Sequence, residues 1–189
     1  MIHSIAAILL FEFGLGALGA LWVYWTGGEW PAFQLGVSAL FSVLTFGLPL
    51  YAFAVLVTSE AGLRIAGFRR IFEALAESFL GELIERLPIW QLALLSLSAG
   101  VGEEILFRGV AQPYLGVWVT GLVFGLLHAL TPTYFFVAFA VGTYLGLVFG
   151  WTSGNLFVPV AVHTVYDFLA FLLYRRRIRA ERHVAARTA

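Results

Sequence analysis

Residues 99–109 read AGVGEEILFRG, which sets two adjacent carboxylates, Glu103 and Glu104, just ahead of an arginine, Arg108, in otherwise apolar surroundings. Glu104 and Arg108 are i and i+4 with the acid N-terminal, the favourable order for a helical ion pair. Glu103 projects about 100° away from Glu104 around the same helix, so it needs a different partner or a wet cavity. Further along, Phe124 and His128 share one helical face, and so do His163 and Asp167. Asp167 is spaced to accept from His163 or to fix its tautomer. If the three faces converge, one low-dielectric pocket holds Glu, His, His and Asp. A carboxylate with a histidine can hold and deprotonate a water. A second polar pair can bind the oxyanion formed when that water attacks an amide. The same side chains are also legitimate metal ligands. There is no HExxH, no GxSxG and no GxGD-type aspartate pair, and Ser96, Ser98 and Ser153 have no obvious pairing with either histidine.

Taken singly, each group has a structural reading: a lone histidine as a strut between helices, an acid–arginine pair as a staple. Together they resist it. A charged side chain at mid-bilayer costs at least ~2.5–3.5 kcal/mol on insertion scales, and six such groups sit on three neighbouring apolar stretches.

The elements that must position them are membrane helices. The 189 residues are 61% hydrophobic and 12% charged, with mean hydropathy +0.91; soluble domains carry about 25% charged residues. The net charge is zero, which gives no electrostatic case for nucleic acid. Cysteine is absent, excluding disulfides, thiolate catalysis and Cys-ligated metals. Runs of about 20 apolar residues, the length that spans a bilayer, fall roughly at 3–25, 33–58, 89–108, 114–130, 134–151 and 155–174. The opening run has no basic n-region and continues to Trp25, so it is read as a retained first span rather than a cleaved signal. Residues 62–87 carry Ile65, Phe68, Phe72, Leu75, Phe79 and Leu83 on one helical stripe, with charges off it. That is an amphipathic helix, either on the membrane surface or packed on the rest of the protein. The expected fold is therefore an all-α polytopic bundle of about six spans plus an interfacial helix. Its segments are 1–61 (two N-terminal spans), 62–87 (interfacial helix), 88–174 (core) and 175–189 (basic tail). The arginines of the 62–87 segment and of the tail fall on one side, which the positive-inside rule makes cytoplasmic for both termini; the tail could touch anionic lipid.

Two rows of small residues, Gly121, Gly125 and Ala129, then Ala138, Gly142, Gly146 and Gly150, predict close helix packing within or between chains. Glu12 lies about two turns inside the first span. It is expected to snorkel or to bond to a neighbouring helix, the alternative being a place in the cavity.

The residues EEILFRG, FGLLH and HTVYD, in that order, resemble the EExxxR, FxxxH and HxxxN/D motifs of the CPBP family, which comprises the CAAX prenyl proteases of the Rce1 type and bacteriocin-processing relatives, also called ABI proteins. The resemblance covers about residues 88–174. It implies a glutamic intramembrane endopeptidase without metal or other cofactor, acting on a membrane-bound or lipidated peptide. By motif position, Glu103 is the general base, His128 helps hold the water, and His163 with Asp167 stabilises the oxyanion. Glu104 and Arg108 form the supporting pair, and Phe124 packs or lines the cavity. The well-studied prenyl proteases have Asn at the last position. Asn can donate to an oxyanion and an ionised Asp cannot, so Asp167 acts either protonated or by orienting His163 as imidazolium.

Depth enters as a further expectation. Glu103 lies 15 residues beyond Pro88, or ~22 Å along a helix, while His128 comes near the end of its span and hence near the cytoplasmic surface. Two other functions use the same pocket: a non-proteolytic immunity or scaffold protein that only binds, and a proton- or ion-coupled carrier with a polar path to both faces.

Overall fold

The computed structural model describes the backbone of residues 2–188 and the side chains of 5–184, 186 and 187; Met1 and Ala189, at the ends of the expected segments, lie outside them. Among the described residues there is no strand, only an isolated parallel bridge between Ala32 and Asn155. The all-α bundle read from the sequence is the fold found. Its helices are α1 Ile2–Thr26, α2 Val37–Thr58, α3 Ala66–Ala76, α4 Phe79–Arg86, α5 Ile89–Glu104, a π-helix Ile105–Ala111, α6 Gln112–Leu127, α7 Pro132–Trp151 and α8 Phe157–Thr188, with a 3₁₀ turn at Gly62–Arg64.

Among the described residues, five stretches are long and apolar enough to cross a membrane: Ile5–Thr26, Val37–Thr58, Ile89–Leu127, Pro132–Trp151 and Phe157–Val184. The expected third and fourth spans are thus one stretch of 39 residues, too long for a single crossing at 1.5 Å per residue. It turns back on itself at Gly116, whose φ of 73° interrupts the helix. A straight helix would put Phe107 and Phe124 ~25 Å apart, yet their rings lie 5.0 Å apart. The reversal needs a left-handed backbone, which glycine adopts without steric penalty.

The outer surface is apolar: Leu10, Trp25, Val37, Phe41 and Trp118 are all exposed. With no water in a bilayer core, helices that satisfy their own backbone are the form such a surface requires.

The expected single amphipathic helix at 62–87 is two. Ser78 divides it: its hydroxyl donates to the Leu75 carbonyl at 2.7 Å and accepts from the Gly81 N–H at 3.2 Å, capping α4. Phe72, Leu83 and Ile84 are buried against Tyr174 and Ile178 of α8. The segment is packed on the protein. The basic tail is not a separate element either, because α8 runs through it to Thr188. It pins α3 and α4 by Arg69–Glu181 at 2.8 Å, Arg182–Glu85 at 2.9 Å, and Arg175, which donates to the Ile84 and Leu87 carbonyls.

At the other end of the bundle, Asn155 clamps the loop before α2. Its amide accepts from Gln34 N–H and donates to Gln34 carbonyl, both at 3.0 Å.

Candidate active site

Glycines decide how closely the site-bearing helices approach. A Cβ at Gly100 of α5 would lie 3.0 Å from Thr164 N and 3.2 Å from Val160 O of α8. A Cβ at Gly102 would collide with the Glu12 carbonyl of α1. These two contacts bracket the first acid: α8 lies against one side of Glu103 and α1 against the other. Gly121 and Gly125 press α6 onto the backbone of α7 at Thr143 and Phe135, and Gly142 receives the Phe124 ring. The predicted rows pack, except at their ends: Gly150 meets nothing within 4 Å and Ala129 is exposed.

Glu104 and Arg108 are fully buried, with Arg108 Nε 3.0 Å from Glu104 Oε2. Arg108 also donates to the Gly142 carbonyl of α7 at 2.7 Å. Its guanidinium lies 5.9 Å from the Phe107 ring centroid and 5.8 Å from that of Phe124. The pair forms across the start of the π-helix, a feature that recurs at functional sites and that nothing in the residue pattern signalled.

The other Glu104 oxygen lies 2.8 Å from His163 Nδ1, which donates to it. His163 Nε2 faces Asp167 Oδ2 at 3.5 Å and Glu103 Oε2 at 4.0 Å. The sequence spacing suggested Asp167 as the group that orients His163; in the fold Glu104 makes the shorter contact. The reason is tertiary. Gly100 brings α5 close enough for an acid already fixed by Arg108 to reach across, whereas the Asp167 side chain stays 22% exposed toward the cavity.

His128 terminates α6. Its Nδ1 donates to the Phe124 carbonyl at 2.8 Å, and its ring stacks on Phe124 with centroids 4.3 Å apart. Nε2 is thereby turned to Glu103 Oε1, 3.8 Å away. The expected mismatch in depth does not arise. Glu103 stands 13 positions before the Gly116 reversal and His128 stands 12 after it, so both arms reach a similar depth and α6 returns only part of the way.

Glu103, His128, His163 and Asp167 line one cavity of ≈ 330 Å³. Among the lining residues not anticipated as site residues are Tyr134, Tyr166 and Leu80. Tyr166 lies i+3 from His163, a spacing that could have flagged it; Tyr134 and Leu80 arrive from other elements with no local signal. Glu12 lines the same cavity and is 9% exposed, the alternative reading rather than the snorkelling one, and among the described residues its Oε2 has no hydrogen-bond partner. A second, apolar cavity of ≈ 130 Å³ adjoins the first, sharing Leu80, Tyr134, Tyr166 and Asp167, and extends toward α2 and α3. Among the described residues, no three His, Asp or Glu side chains are grouped closely enough to hold a metal ion.

Comparison with known proteins agrees with the motifs. Residues 85–169 match the family described as Type II CAAX prenyl endopeptidase Rce1-like. The chain is 34% identical over 113 residues to YpbD of Bacillus subtilis (strain 168), described as an uncharacterized protein. That alignment covers 56% of this chain and spans 59% of the length of the relative. No solved structure matches.

Proposed function

Because residues 85–169 match the Rce1-like prenyl endopeptidases, a protease family, we propose that this chain is an intramembrane peptidase that hydrolyses a peptide bond of a membrane-bound or lipidated substrate with a water activated by Glu103. The observation that carries the proposal is the pairing of Glu103 Oε1 with His128 Nε2 at 3.8 Å across the cavity. One water within ~2.8 Å of both atoms donates a hydrogen bond to each and keeps its lone pairs for attack. The hydrogen bond from His128 Nδ1 to the Phe124 carbonyl leaves Nε2 as the acceptor in the neutral ring.

The step balances within these residues. Water oxygen bonds to the amide carbon, and its proton passes to Glu103 Oε1. The carbonyl oxygen becomes an oxyanion. His163, as imidazolium with Nδ1–H on Glu104, offers Nε2–H to that oxyanion. Asp167, 3.5 Å from the same nitrogen, either holds the ring in place or, protonated, adds a second donor. When the C–N bond breaks, Glu103 returns the proton to the leaving amine. Glu104 and Arg108 act through His163 and through α7, as positioning residues. The apolar cavity beside the site is suited to a hydrocarbon portion of the substrate. The arginine-bearing end of the bundle faces the cytoplasm in this reading, with both termini on that side.

The test uses the purified chain and Glu103→Gln on a panel of prenylated and unprenylated reporter peptides, each with and without a chelator. Cleavage that needs Glu103 and resists the chelator supports the proposal. Cleavage retained by Glu103→Gln removes Glu103 as base. Cleavage abolished by chelator moves the chemistry to a metal.

A further inference from the structure

Glu12 is the one acid of the cavity that the proposed chemistry does not use, and it comes from α1, outside the family-matched residues 85–169. Its presence at the site is built in. Gly102 has no side chain where α5 meets the Glu12 backbone, so the two helices touch at the position that precedes Glu103. Glu12 is nine-tenths buried as a residue, and among the described residues nothing hydrogen-bonds its buried Oε2. It lines the same cavity as Glu103, His163 and Asp167 and lies within their electrostatic reach.

The charges facing this cavity do not balance. Among the described residues, three carboxyls, Glu12, Glu103 and Asp167, oppose two imidazoles, His128 and His163. Glu104, the fourth acid nearby, is already taken up by Arg108 and His163 Nδ1. Tyr134 and Tyr166 add phenols and no positive charge. Even with both imidazoles protonated, one carboxylate lacks a counter-ion, and an uncompensated charge in a low-dielectric pocket is unfavourable by several kcal/mol. A ligand that brings a positive charge supplies the missing partner.

We infer that Glu12 forms a cation subsite beside the scissile bond, recognising a protonated amine or guanidinium on a substrate residue next to that bond and disfavouring a carboxylate there. The inference rests on the peptidase reading for its location relative to a scissile bond. Its physical content is that the cavity selects a cation and that Glu12 makes the selection.

The experiment uses the full chain in lipid discs and three membrane-anchored reporter peptides, identical except for lysine, norleucine or glutamate adjacent to the cleaved bond. The wild type is expected to prefer lysine to norleucine at least tenfold in kcat/KM, with glutamate worst. Glu12→Gln, close in size, is expected to lower the lysine-to-norleucine ratio about tenfold, mostly through KM, and Glu12→Asp to restore part of it. No lysine preference in the wild type, or a ratio that Glu12→Gln leaves unchanged, overturns the subsite. If no reporter is cleaved, binding of the same labelled peptides by anisotropy decides separately. A Kd ratio that Glu12→Gln collapses keeps the cation site while the peptidase reading fails; equal Kd values for lysine and norleucine reject the site.

Discussion

Replacing Arg108 by Met separates two kinds of stability in this protein. The guanidinium is fully buried, pairs with Glu104 on its own helical stretch at 3.0 Å and bonds the Gly142 carbonyl on α7 at 2.7 Å. Breaking a buried ion pair by removing one partner costs ~3–5 kcal/mol in soluble proteins. Here Glu104 and Arg108 are one turn apart on the same stretch, so the pair persists when the helices separate within the membrane. Most of that penalty therefore falls on helix insertion and largely cancels in bundle assembly. The bond to Gly142 exists only in the bundle. Hydrogen bonds to charged groups are worth ~1.5–3 kcal/mol, and interhelical ones in membranes reach at most ~1.7. Taking the overlap, Arg108→Met should weaken assembly by about 1.6 kcal/mol, roughly fifteenfold. The assay is detergent-driven unfolding in mixed micelles followed by tryptophan fluorescence. Arg108→Lys should lose about half as much, since an ammonium keeps the charge but cannot span both partners with a fixed fork. A loss under ~0.5 kcal/mol for Arg108→Met, the size of an ordinary surface substitution, would refute the inter-helix role of Arg108.

Other outcomes follow from the same geometry. Asp167→Asn should keep hydrolysis within about tenfold, because Asn can donate where a protonated Asp does, and Asp167→Ala should fall further; initial rates with a cleaved reporter decide this. Gly102→Leu should force α1 from α5 and destabilise the fold by at least ~1–3 kcal/mol, since the obstructing atom is backbone and cannot rotate away; the same unfolding assay measures it. Arg175→Ala removes the donors to the Ile84 and Leu87 carbonyls, and should expose the α3–α4 link at Ser78 to limited proteolysis several-fold faster than wild type. His128→Ala leaves Glu103 Oε1 without the nitrogen that faces it, and should lower kcat about 10²-fold or more, the scale of a lost acid–base partner, with little change in helix content by circular dichroism.

The residue pattern by itself determined the membrane class, the all-helical architecture and the residues worth examining. Those features are local or compositional: 61% apolar content, i,i+4 spacing on single helices, and the insertion cost that makes each buried charge informative. It also marked the glycine rows on which α6 and α7 close. What it could not determine is everything set by contact between distant segments. The return of the chain depends on one positive-φ residue, Gly116, inside a continuous helical stretch and beyond the break between the two apolar runs, and it equalises the depths of Glu103 and His128. The partner of His163 is Glu104, 59 positions away, because Gly100 allows α8 to touch α5. Glu12 reads locally as an isolated acid in a lipid-facing helix. Only the contact of its backbone with Gly102 turns it into the cavity beside Glu103, because hydropathy records the cost of a charge but not the direction in which the helix face is turned.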